Sequence, residues 1–127
     1  MAKTLQIVES AYRATLEEQD DTVLWITAAM KGAGAELDVL LRGSAVNYAV
    51  KSQDASGLSF GARKQSNPPN IAGDVEQLLA KGIELYVVED DVAERGLERV
   101  DLISGIKPVS KAKLPELLEQ YARVWHW

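Results

Sequence analysis

Apolar residues run along this chain in two alternating patterns. Short, nearly unbroken apolar runs at residues 5–8, 36–41, 83–88, 106–109 and 124–127 have the length of buried strands. Between them the apolar residues recur at helical spacing. Val23, Ile26, Thr27 and Met30 form one helical face, and Ile71, Val75, Leu78 and Leu79 form another. Leu114, Leu117, Leu118 and Tyr121 mark a last helix, with Pro115 near its start. Residues 44–50 and 90–95 have room only for short helices.

The residues at the boundaries agree with this division. Asp20, Asp21 and Thr22 suit a helix start, and Gly32 and Gly34 suit its end. Asn70 is placed to cap a helix over residues 71–81, and Gly82 and Gly96 follow two other expected helices. Residues 52–70 break the alternation. They hold Ser, Gly, Asn and the pair Pro68-Pro69, and a segment of this length without periodicity reads as a lid, a binding loop or a mobile stretch. The element order is β-α-β-α-loop-α-β-α-β-α-β. It predicts an α/β three-layer sandwich, with a five-stranded, mostly parallel sheet covered on both faces. At 127 residues, a single domain over 1–127 is expected.

Composition removes several chemistries. The chain has no cysteine, so disulfides, thiolate metal sites and thiol nucleophiles are excluded together. With one histidine, a zinc site of the usual kind is not expected. The net charge of −5 opposes binding to nucleic acid or an anionic membrane. No basic run interleaved with aromatics is present, so no nucleic-acid partner is expected. The opening MAKTLQIVES goes straight into a strand-like run, which predicts neither a signal peptide nor a membrane span. A cytoplasmic address follows as the expectation. Glycine-rich phosphate and dinucleotide loops and the hydrolase elbow are absent, and no cofactor is implied.

The C-terminal half carries a resemblance. LYVVEDDVAERGL, ISGIKPV and LPELLEQYARVWHW resemble the end of DsrH/TusB-type proteins. Their order is an apolar strand, an acidic turn, an A-x-R-G helix end, a glycine-led strand, an amphipathic helix and a last strand ending in Trp. The N-terminal half, with its K-x-L-x-I-V opening and Gly43-Ser44-Ala45-Val46, is more similar to DsrE. The resemblance is thus to the DsrE/DsrF/DsrH sulfur-relay family, and it implies a DsrEFH-like sheet of flavodoxin-like appearance. In DsrE- and TusD-type members a sulfur-carrying cysteine ends the strand before the R-G helix. Counted back from Arg95-Gly96, that position is Val88, or Glu89 if the register slips by one. Neither residue can form a persulfide.

Candidate sites lie at the carboxyl ends of the strands, where open parallel sheets bind ligands. Ser10, Tyr12, Gly43, Ser44, Glu89 and Asp90 make up the expected rim. Ser10, Gly43 and Ser44 read either as a small-anion site or as turn and cap residues. Glu89, Asp90 and Asp91 read either as a source of a general acid or base or as a helix-start cluster facing the macrodipole. Arg42, Arg63 and Lys64 are candidate positive charges for the same rim. His126, between Trp125 and Trp127, reads as structural. The resemblance implies a non-catalytic scaffold or regulatory subunit of a sulfur relay, with sulfur-relay proteins as partners. The alternative is a small-ligand (anion or nucleotide) binding protein or a thiol-independent enzyme using the rim. Family members form trimers and hexamers. Trp125 and Trp127 on a terminal strand, with Trp25 off the stripe of the first helix, point to a homo-oligomer of that kind with tryptophan at a subunit boundary.

Overall fold

The computed structural model describes residues 3–11, 22–53, 57, 59–64 and 70–127. Its main sheet is built from β1 (Thr4–Val8), β2 (Leu37–Leu41), β5 (Leu85–Val88), β6 (Lys107–Val109) and β7 (Arg123–His126). The strands lie in the order β6-β5-β2-β1-β7, and every pairing is parallel. The helices are α1 (Thr22–Gly32), α2 (Ile71–Ala80), α3 (Glu89–Glu94) and α4 (Leu114–Leu118). Among the described residues, no helix is long and apolar enough to cross a membrane.

The topology explains why both faces are covered. From β1 through β2 and β5 to β6 the chain steps in one direction, and then it returns across the sheet to β7. Right-handed crossovers put the helices of the outward steps on one face and that of the return step on the other. Side chains alternate accordingly. Val8, Val39, Leu41, Leu85 and Val87 pack with Val23, Leu24, Ile71, Val75 and Leu78 on the α1/α2 face. Leu5, Ile7, Leu40 and Val88 pack with Leu114 and Leu117 on the α4 face. Each such fully buried Val or Leu contributes roughly 1.5–3 kcal/mol.

Three expectations change in detail. The stripe expected on α1 is shifted, because Val23, Leu24 and Thr27 are its buried residues, whereas Ile26 and Met30 line a hollow beside β7. The cause lies beneath the helix. Gln6 is buried at the middle of β1, its Nε2 donates to Thr27 Oγ1 at 3.1 Å, and Thr27 donates onward to the Val23 carbonyl at 2.7 Å. The helix is turned to keep that amide satisfied. The segment after β2 is a 3-10 helix over Gly43–Ala49. Within the expected loop, β3 (Ser59–Phe60) and β4 (Arg63–Lys64) form a small antiparallel hairpin, turned by Gly61 at φ +62° and exposed throughout. The cap expected at Asn70 is present, its side chain accepting from the Gly73 amide at 3.1 Å.

At the amino ends of the strands, Asp38 is buried and draws three donors together. Lys3 Nζ lies at 2.9 Å, the Tyr121 hydroxyl donates at 2.6 Å, and the Glu84 amide donates at 3.0 Å. Glu84 in turn pairs with Lys107. A buried carboxylate is tolerated only with such partners, so residues just before β1, β5 and β7 converge on this group near the start of β2. Burial, and then the bond to Asp38, push the Tyr121 phenol far above its usual 10.0. The bond to Asp38 raises Lys3 above its usual 10.5.

Both groups hold their protons more tightly folded than unfolded. Their contribution to stability is therefore complete below their ordinary values and declines as pH rises past about 10. Tyr121→Phe is expected to cost about 1.5–3 kcal/mol at neutral pH and to flatten the alkaline decline. Thermal melts followed by circular dichroism from pH 7 to 11 check both effects.

Candidate functional site

Gly43 pins the rim at the carboxyl ends of β1, β2 and β5. Its φ is +58°, and a Cβ there would stand 2.9 Å from the Glu9 carbonyl oxygen, so glycine alone fits without strain. The close approach lets the Arg42 amide donate to Val8 O at 3.0 Å and the Ala45 amide to Glu9 O at 3.2 Å. Ser44 Oγ accepts from the Ala11 amide at 2.9 Å and donates to Glu9 O at 3.3 Å. From the start of α3, the buried Asp91 accepts from the Gly43 amide at 2.8 Å. Three strand ends are thereby tied into one rim.

These bonds bear on the two readings of the candidate residues. The Gly43 amide and the Ser44 hydroxyl are engaged inside the protein as turn groups, and neither is left directed at a ligand. Asp90 accepts from the Lys111 amide at 2.7 Å, so it anchors the segment leading into α4. Glu89 is exposed and makes no such tie among the described residues. Ser10 lies half-buried on the turn after β1. Tyr12 lies outside the described residues. Arg63 and Lys64 are exposed on β4 and form no ion pair among the described residues.

The strand order also brings together a cluster of residues that are distant along the chain. Glu9 Oε2 lies 3.3 Å from His126 Nε2, and Glu9 Oε1 lies 3.6 Å from Arg42 Nε. The second distance is too long for a hydrogen bond, and the buried Arg42 Nε has no hydrogen-bond partner among the described residues. These three residues stand at the carboxyl ends of β1, β7 and β2. The register aligns Ile7 with His126 and Val8 with Leu41, so by alternation all three share the α4 side of the sheet. A polar residue at the end of each apolar run, read with the strand order β2-β1-β7, is the signal that finds them. Half-exposed pairs of this kind add little stability, but they place opposite charges side by side where a partner can read them. Among the described residues, no group of three His, Asp or Glu side chains could hold a metal ion.

The model of the DsrE/DsrF-like family matches residues 10–126. The chain belongs to the DsrE/DsrF-like family. Among solved structures, it is similar to the ychN protein from E. coli, at 18% identity and a TM-score of 0.78, with 100% of each chain covered. It is also similar to MTH1491 from Methanobacterium thermoautotrophicum, a protein of unknown function, at 12% identity and a TM-score of 0.66. That match covers 98% of this chain and 99% of the other. At these identities the likeness is one of fold. A comparison with curated proteins gave no match.

The position that the family resemblance assigns to the sulfur-carrying cysteine is Val88, and in this DsrE-like chain its side chain is 0% exposed. It packs against Leu5, Ile7, Leu40, Leu114 and Leu117 beneath α4. Glu89, one residue on, is exposed at the first turn of α3.

Because the chain has no thiol of its own, a single introduced cysteine reports its site without background. Val88→Cys is expected to react with an aromatic disulfide reagent at least about tenfold more slowly than Glu89→Cys. Equal rates would place position 88 at the surface. Gly43→Ala is expected to cost about 2 kcal/mol through strain and the clash with Glu9, read as a lowered denaturant midpoint.

Proposed function

We propose that this chain is a non-catalytic DsrE/F/H-like subunit that scaffolds or regulates a sulfur relay without carrying sulfur itself. The observation that carries this reading is the absence of cysteine anywhere in the sequence, in a chain that otherwise belongs to the DsrE/DsrF-like family. A persulfide needs a thiolate to hold the transferred sulfur. Neither the buried Val88 nor the carboxylate of Glu89 supplies one.

The rim supports recognition rather than chemistry in this reading. The Ala11, Arg42, Gly43 and Ala45 amides tie the strand ends, while Glu9, Arg42, His126 and Glu89 remain in reach of solvent. A mixed-charge patch of this kind suits contact with a protein partner. The partners are sulfur-relay proteins and further copies of this chain, in a trimer or hexamer. The exposed Trp25, Trp125 and Trp127 support self-association, since large exposed aromatics favour contact surfaces.

Deletion of the gene in its host, followed by sulfur-35 labelling, tests the role. Flux of label into acceptor molecules is expected to change by several-fold in the deletion strain, while in the undeleted strain the protein itself acquires no label on a sulfur-transfer timescale. Unchanged flux in the deletion strain would remove the sulfur-relay assignment.

A further inference from the structure

The two edges of the sheet are built differently. On one side β6 carries Lys107 and Pro108 within three residues, and charge and proline are the usual guards against strand addition. On the other side β7 reads Arg123-Val124-Trp125-His126, exposed at every position. It has no proline and no lysine, and its register with β1 is unbroken. Beside it, Ile26 and Met30 of α1 and residues 124–127 line an open hollow of about 590 Å³. Trp125 and Trp127 are 41% and 45% exposed there.

The backbone of β7 has a definite set of unmet groups. Arg123 N bonds to Lys3 O at 3.4 Å, Trp127 N to Ile7 O at 3.0 Å, and Trp127 O receives Glu9 N at 3.4 Å. In a parallel ladder alternate residues bond to the same neighbour, so residues 123, 125 and 127 face β1. Val124 and His126 therefore direct their N–H and C=O groups outward, and these four groups have no partner among the described residues. Side chains alternate as well. Gln6 pairs in register with Trp125, which puts Trp125, Arg123 and Trp127 on the α1 face, with Val124 and His126 on the other.

We infer that β7 is an isologous docking edge, at which a second copy of this chain adds its own β7 antiparallel about a two-fold axis through Trp125. This deepens the self-association proposed above and rests on it. Two constraints select the register. A two-fold perpendicular to the sheet keeps each face continuous only when directly opposed residues point to the same side. The outward groups of Val124 and His126 must meet outward groups of the second copy. Centring on Trp125 opposes Val124 to His126 of the second copy, and His126 to its Val124, which satisfies all the outward groups of both strands. Centring on Val124 or on His126 satisfies only one such pair within the strand, and in the first case opposes His126 to Ala122, whose amide already donates to Lys3 O at 2.9 Å.

The same register disposes the side chains well. Trp125 meets Trp125 of the second copy on the α1 face, an aromatic cross-strand pair. Arg123 faces Trp127 of the second copy, a cation–π geometry. The two β1 strands then lie three strand spacings apart, about 14 Å, and helices about 10–12 Å in diameter above them come alongside each other. Trp25, Ile26 and Met30 of both copies extend the contact beyond the strands, toward the roughly 800 Å² per partner of a stable interface. The hollow between α1 and β7 is closed by the second copy's Trp125. A two-fold of this kind occurs in a dimer or a hexamer of paired trimers, not in a lone trimer.

Cysteine scanning in the native cysteine-free background tests the register. Val124→Cys combined with His126→Cys sets each thiol opposite another at about 5.5 Å between Cα atoms, within disulfide reach. It leaves every tryptophan in place. Mild oxidation is expected to convert most of this double variant to covalent dimer on a non-reducing gel. Either single variant, with its thiols on the diagonal about 7–8 Å apart, is expected to cross-link at least several-fold less. Light scattering on the untreated proteins, and a folded circular-dichroism spectrum, accompany the gel. An oligomeric mass with no cross-link in the double variant overturns the β7 two-fold while self-association stands. A monomeric mass overturns both and leaves the edge to a different protein.

Discussion

The side-chain amide of Gln6 is the contact on which the arrangement turns. It sits fully buried in β1, beside the two strands that flank it, where an unmet amide would cost about 1–3 kcal/mol. Its Nε2 donates to Thr27 on α1, and its Oε1 accepts from the Trp127 indole at 2.9 Å. One residue thus sets the rotation of α1 over the sheet and draws the end of β7 against β1. The consequences reach the surface. Turning α1 toward Gln6 leaves Ile26 and Met30 beside β7 rather than in the core. Drawing Trp127 inward by its indole nitrogen leaves the rest of its ring, with Trp125, at the sheet's open edge.

The two ends of the strands solve opposite problems. At the amino ends a single buried carboxylate, Asp38, gathers Lys3, Tyr121 and the Glu84 amide. At the carboxyl ends the backbone is gathered instead, by Gly43, Ser44 and Asp91. In this fold class the carboxyl end is where ligands bind, and here the Arg42, Gly43 and Ala45 amides and the Ser44 hydroxyl are engaged in holding the strands together. The groups left in reach are charged side chains, Glu9, Arg42, His126 and Glu89. Val88 is sealed under α4 and the chain has no thiol, so no group here can hold a persulfide. The proposed role in recognition rather than sulfur chemistry rests on that.

The three central strands, β1, β2 and β5, were legible in the sequence because each is a nearly continuous apolar run, as a strand buried on both faces must be. Asn70 and the glycines after the helices were legible because caps are local. The polar interior was not. Asp38 lies inside an apolar run, and its partners Lys3, Glu84 and Tyr121 are distant along the chain, so no spacing rule relates them. The shift of the α1 stripe was hidden for the same reason, since Thr27 looked like one more face residue until Gln6 lay beneath it. At the rim, the acidic run Glu89-Asp90-Asp91 was visible as a cluster, yet its members divide. Asp91 holds Gly43, Asp90 holds Lys111, and Glu89 is exposed. The grouping of Glu9 with Arg42 and His126 depends on β7 returning to lie beside β1, a crossover that local pattern does not encode.

One mixture tests both halves of the proposed role, engagement with a sulfur relay and no acceptance of sulfur. A DsrE-type carrier from the same cell is loaded with sulfur-35 persulfide and mixed with this chain at micromolar concentration. Native mass spectrometry then reads the complex, and denaturing separation reads the label. A complex of the two proteins is expected, with all of the label remaining on the carrier. Absence of any complex, or label covalently transferred to this chain, would contradict that role.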